Sequence, residues 1–188
     1  MALIVVLSVF NGFDTVVKSL FNAFDPEIRI TAAKGKVFVP DSTLLAYLKN
    51  NPNVVAYSET LEENALLEYS GKQFVATIKG VSQSYQLTTG VDTMMVDGTF
   101  KLQSPTQWFA VPGYGVAQQL GVGLHFVNPI TFYVPSRTSG HTLNPADAFN
   151  IKRIYPTGIF SIQDEFDSKY VFVGLHVLCG SLKGVGCW

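Results

Sequence analysis

The chain has 188 residues, enough for one large domain or two small ones with a substantial core. Charged side chains make up 14% of it, against about 25% in ordinary soluble chains, and the mean hydropathy is +0.24. The net charge is -1 and the densest basic pair is Lys152-Arg153, so the electrostatic footprint of a nucleic-acid binder is absent.

The first charged side chain is Asp14, and everything before it is apolar or uncharged. A bilayer span needs about 20 consecutive apolar residues, so this run is too short to cross a membrane alone. It has neither the positive lead-in nor the small-residue cleavage site of a secretory signal. The expectation is the outer half of a transmembrane helix whose first half lies upstream of Met1. Residues 2–24 read as one helix. Val6, Phe10, Phe13, Val17, Leu20 and Phe24 are spaced 4, 3, 4, 3, 4, an a/d seam. Asn11, Asp14, Lys18 and Asn22 fall off it, so the helix changes from apolar all round to amphipathic, as a span continuing into a stalk would. Asp25-Pro26 ends it.

From there the pattern is α+β. Glu27 to Thr31 alternates as a strand, Lys34-Gly35-Lys36 is a turn and Val37 to Pro40 a second extended piece. Asp41 caps a helix that Asn51-Pro52 stops. Val54 to Tyr69 reads as a strand with a bend near Glu62-Glu63; after a turn at Ser70-Gly71, Gln73 to Val81 returns to make a hairpin. Tyr85 to Met95 holds a short helix, Asp97-Gly98 a turn and Ser104-Pro105 a loop. Trp108 to Pro112 reads as a buried strand, and Gly113 to Leu120 as a helix closed by Gly121. Ile130 to Pro135 alternates as a strand, and Ser136 to Asp147 is a polar loop. Phe149 to Ile162 is a strand broken at Pro156-Thr-Gly158, and Lys169 to Val173 is the last strand. Gly174 to Trp188 shows no helical period.

Motifs that would carry chemistry are missing. Gly113, Gly115, Gly121 and Gly123 invite a phosphate-loop reading, but Gln118 stands where the dinucleotide fingerprint needs its third glycine. A turn and a helix stop explain them. His125, His141 and His176 are scattered and form no metal motif. Asp164, Glu165 and Asp167 lack the glycine and distal glutamate of a calcium loop and read as a solvated turn. No serine lies in a nucleophile elbow. Cys179 and Cys187 read as two thiols in a tail, although an oxidising compartment would allow a local disulfide. No catalytic, cofactor-binding or metal-binding residue is assigned, and the chain is not expected to be an enzyme.

The order of elements, with three segments, resembles the periplasmic core domain of the MacB/FtsX superfamily of ABC transporter permeases, closest to the lipoprotein-releasing LolC/LolE type. Ala2 to Phe13, ending Ser-Val-Phe-Asn-Gly-Phe, is similar to the outer end of the family's first transmembrane helix. Val111 to Gly121 is similar to its strand that leads into a short helix ending in Leu-Gly. Phe149 to Val173 is similar to its Gly-Ile-Phe strand pair followed by Phe-Asp-Ser-Lys-Tyr-Val. The likeness spans residues 2–175. After Gly174 the family continues with a Pro-Leu-Asp helix and three further spans, and here neither follows; a gene fragment or a reading-frame change near Gly174 is the expectation.

The resemblance implies an α+β, MacB-like periplasmic core domain of mixed sheet with short helices, preceded by the outer half of a transmembrane helix. The organisation is then 1–24 span end and stalk, 25–173 core domain, and 174–188 atypical tail. It implies a permease subunit in the bacterial inner membrane, its domain facing the periplasm, that helps release lipoproteins by coupling ATPase motion to that domain. The implied partners are a cytoplasmic ABC ATPase subunit that hydrolyses the ATP, a second permease subunit, an acylated lipoprotein cargo and a periplasmic carrier. Phe10, Phe13, Val17, Leu20 and Phe24 are the candidate coupling and lipid-facing stripe, with packing against the domain's own sheet as the other reading. Two alternatives stand beside this function: an FtsX-like cell-division domain that binds a peptidoglycan hydrolase, and a plain extracytoplasmic binding module.

Overall fold

The computed structural model describes residues 6–9, 12–13, 26, 28–35, 37–124, 128–136 and 149–181. Residues 6–9 and 12–13 are helical. Among the described residues no helix is long and apolar enough to cross a membrane. Of the strand expected over Glu27 to Thr31, residues 28–31 are described and join no sheet, and neither does the extended piece Val37 to Pro40. Their apolar side chains find no ladder neighbour: Ile28 is 82% exposed, and Ile30, Phe38 and Val39 also face solvent. Helix α1 (Ser42–Asn50) forms where the sequence places it with Asp41 at the N-cap position, but the Asp41 side chain makes no capping hydrogen bond and the helix buries no residue. The Thr43 hydroxyl donates to the Asp41 carboxylate (2.5 Å) and holds its pKa below the usual value.

Strands β1 (Thr60–Tyr69) and β2 (Lys72–Val81) form the expected hairpin. Ser70 (φ 49°) and Gly71 (φ 81°) make its two-residue turn, both with positive φ as a type I′ connection requires. The structure differs from the expected bend: Glu62 and Glu63 lie in regular register opposite Lys79 and Ile78. Residues 54–59 stay outside the sheet. Ser84 Oγ donates to the Tyr57 carbonyl (2.6 Å) and Ser58 pairs with Ser82 (2.9 Å), so serines replace the ladder there.

The rest of the chain runs α2 (Tyr85–Thr88), a 3-10 turn (Val91–Met94), β3 (Met95–Gly98), β4 (Phe109–Pro112), α3 (Tyr114–Leu120), β5 (Ile130–Pro135), β6 (Phe149–Pro156), β7 (Gly158–Phe160), α4 (Asp164–Asp167), β8 (Tyr170–Gly174) and α5 (Leu175–Ser181). Six strands close into a barrel in the order β1-β2-β8-β4-β6-β5, and β3 pairs with β7 in a separate ribbon. The β2–β8 and β4–β6 pairs are parallel; the other barrel pairs are antiparallel. Period-2 alternation in β5 sends Ile130, Phe132 and Val134 inward. Leu67, Ile78, Val171 and Val173 join them, with Val116, Ala117 and Leu120 from α3 in the same core. Each fully buried large side chain of this kind contributes about 1.5–3 kcal/mol. Gly121 (φ 71°) ends α3 in the left-handed region, its N–H turned to the Ala117 and Gln118 carbonyls.

Strand β8 is buried along its whole length because both of its faces are covered. Val171 and Val173 join the inner core, while Tyr170 and Phe172 join an outer cluster with Val81, Tyr85, Val91, Val111 and Phe160. Phe172 is the hub, with ring centroids of Phe160, Phe100 and Tyr85 at 5.0, 5.4 and 5.5 Å. The reading of the segment after Gly174 as aperiodic is corrected: Leu175 to Ser181 is helical. Leu178 is 1% exposed, and a Cβ on Gly80 would come within 2.8 Å of its Cδ1, so the missing side chain at position 80 makes the seat for this helix.

Candidate interaction surface

Barrel strands that face solvent ordinarily carry polar residues outward. On β2, β1, β5 and β6 one outward row breaks that pattern. Val75 lies opposite Leu66, Leu66 opposite Tyr133, and Tyr133 opposite Ile151. Val75 is 66% and Ile151 56% exposed, with Leu66 and Tyr133 half-buried between them. One step along, exposed Phe149 stands opposite Pro135. Four strands thus present a continuous apolar stripe, the kind of patch that marks an interaction site.

The neighbouring row is polar and includes Glu68, Thr131 and Arg153 in cross-strand register. Tyr133 Oη donates to Glu68 Oε2 at 2.8 Å, and this bond raises the phenol's pKa above its ordinary value, assisted by burial and by the charge of Glu68. The bond fixes the tyrosine ring within the apolar row. The row offers a partner an apolar contact surface edged by the polar row.

Of the expected stripe, one residue lies among the described ones. Phe13 is described, helical and 66% exposed, while Phe10, Val17, Leu20 and Phe24 lie outside the described residues. Val6, Leu7 and Val9 share the exposure of Phe13. The structure does not bring Phe13 and the barrel row together into one described site.

Other residues singled out by sequence have structural roles. A Cβ on Gly113 would lie 2.4 Å from the Asp167 carbonyl, and one on Gly115 would lie 2.8 Å from Ser168 Cα. Those glycines let the start of α3 sit against the end of α4, and no phosphate cradle is needed to explain them. The solvated-turn reading of the acidic cluster is corrected at Asp167, which is 4% exposed. Its carboxylate accepts from Ser161 Oγ (2.6 Å) and the Ile162 N–H (2.8 Å). His176 lies beside Trp108, with ring centroids 6.1 Å apart; His125, His141 and Cys187 fall outside the described residues. Cys179 is disulfide-bonded, so the reading of it as a plain thiol is corrected.

Among the described residues no group of three or more His, Cys, Asp or Glu is placed to hold a metal. A depression of about 450 Å³ at the end of α1, lined by Ala46, Tyr47, Asn50, Asn51 and Pro52, contains no carboxylate, imidazole or thiol. The barrel row escaped the sequence reading because it takes single residues from separate strands, and their alignment depends on long-range register. The signal in the sequence is slight: Leu66 stands between Asn64 and Glu68, and Tyr133 follows Thr131, at positions that strand pairing turns outward. The chain matches no protein-family model, and it matches no curated protein.

Proposed function

We propose that this chain is part of an ABC transporter permease subunit of the MacB/FtsX type, closest to the lipoprotein-releasing branch. In this reading it performs no chemistry itself; a separate cytoplasmic ATPase moves it, together with a second permease subunit. The observation that carries the reading is the contrast between a well-packed barrel and the helical residues ahead of it. Val6, Leu7, Val9 and Phe13 are each more than half exposed, although two dense cores lie within the same chain. Four large apolar side chains in water are a liability; in a bilayer they are at rest. The disulfide-bonded Cys179 agrees with an oxidising compartment such as the periplasm.

The exposed row from Val75 to Ile151 is then the surface on which the periplasmic domain meets the acyl group of its cargo or the apolar lining of a carrier. Phe13→Asp tests the reading. It abolishes lipoprotein release in cells while the barrel still unfolds cooperatively at an unchanged urea midpoint. Unimpaired release in that variant refutes the role, and a peptidoglycan hydrolase that co-purifies with the domain moves the function to cell division.

A further inference from the structure

Among the described residues, one buried cation lies away from the apolar row. Lys79 points outward from β2, yet only 4% of it is exposed. Its neighbour in register on β1 is Glu62 and on β8 is Phe172. Its Nζ lies 3.5 Å from Glu62 Oε1, 5.5 Å from the centroid of the Tyr85 ring and 5.9 Å from that of Tyr170. Burying an ammonium is costly, and an apolar side chain of similar volume commonly does as well or better for stability alone. Two aromatic faces and one carboxylate offset that cost and hold the cation in one place. Glu62 is only partly covered, and its same oxygen lies 3.8 Å from Arg29 Nη2, whose side chain is 59% exposed. Arg29 stands three residues after Pro26, where the chain arrives at the barrel, and residues 28–32 join no sheet.

We propose that Glu62 ties the arriving chain to the barrel wall, with Lys79 as its inner anchor. An exposed Arg–Glu pair contributes little by itself, because two long side chains must be immobilised in water. Here the carboxylate is already fixed from below, so Arg29 alone loses freedom on pairing. Glu62 and Lys79 are positioning residues: they hold Arg29 and its described neighbours against the barrel wall. The inference deepens the permease reading, in which the arriving chain transmits motion, but it is tested by geometry and not by export.

The test is pulsed electron paramagnetic resonance on the full chain in lipid nanodiscs. Nitroxides are carried on unnatural amino acids at Ile28 and Leu87, which are 82% and 76% exposed. The native chain gives one narrow distance peak. Glu62→Gln loses it, and so does Lys79→Met, whose urea midpoint is unchanged or higher because the tyrosine cage stays filled. Glu68→Gln, on the same strand, keeps it. A narrow peak retained in Glu62→Gln overturns the proposal, as does a peak lost only together with cooperative unfolding. A chain inactive in lipoprotein release would still show the narrow peak, so failure of the permease reading is distinguishable from failure of the tie.

Discussion

The seat of α5 over Gly80 yields a prediction with opposing single effects. Leu178→Ala empties a site in which the side chain is 1% exposed, at a cost of about 2–5 kcal/mol. Gly80→Ala places a Cβ 2.8 Å from Leu178 Cδ1 and 3.3 Å from its Cβ and Cγ, an overpacking that costs about 1–3 kcal/mol. Loss of unfolded-chain freedom returns about 0.4–1 kcal/mol of that. In the double variant Cδ1 and Cγ are gone, and the methyl introduced at position 80 lies in the space they vacated. Its loss of stability should therefore fall short of the sum of the singles by about 1–3 kcal/mol. Urea unfolding followed by tryptophan fluorescence reads all four chains. With a slope near 2 kcal/mol/M, Leu178→Ala moves the midpoint down by about 1–2.5 M. Singles that add to the double within about 0.5 kcal/mol, or a Leu178→Ala cost below about 1 kcal/mol, would refute the docking of α5 on β2.

Asp167→Ala leaves the Ile162 N–H and Ser161 Oγ without their acceptor and lowers unfolding stability by about 1–3 kcal/mol; a change below about 0.5 kcal/mol would show that water replaces the carboxylate without loss. Tyr133 ionises above its ordinary pH because the neutral phenol is hydrogen-bonded to Glu68. Its contribution to stability is thus fully present below about pH 10 and is lost as the pH rises through the folded-state value. An absorbance titration shows the shift, and Glu68→Gln reduces it by removing the carboxylate's charge. Aspartate at both Val75 and Ile151 leaves stability within about 0.5 kcal/mol, as expected for exposed positions, and under the permease function proposed above it weakens lipoprotein release; undiminished release would exclude the barrel row from the partner surface.

Local signals carried most of the barrel. The Ser70-Gly71 turn, the alternation in Ile130 to Pro135 and the Gly121 stop each have one short-range physical cause, and each appears where the residues put it. Closure was not legible. The parallel β2–β8 pair joins residues about ninety positions apart, and no turn or spacing encodes it. The segment after Gly174 was misread for a related reason. Its helix places Leu178 in the core with Leu175, Val177 and Cys179 packed against it, and the seat is provided by a glycine on another strand. Asp167 likewise looked solvated because its partners, Ser161 and the Ile162 N–H, are recognisable only once α4 folds back over the chain before it. The exposed row was hidden as closure was, since its single residues come from separate strands aligned by long-range register.

Strand β2 shows how the two sides of the barrel differ. Val75, Thr77 and Lys79 have the same parity and point outward, yet exposure falls from 66% at Val75 through half-buried Thr77 to 4% at Lys79. Near Lys79 the wall is roofed by Tyr85 and Tyr170 of the outer cluster. Near Val75 the wall is bare, and the bareness continues across Leu66, Tyr133 and Ile151. A partner that docked by apolar contact alone would thus meet β2 only in its first half, while the arriving chain is tied to its second half through Glu62. The separation along one strand lets the domain be held at one end and occupied at the other. A partner seated on the row should then leave the distance between Ile28 and Leu87 unchanged.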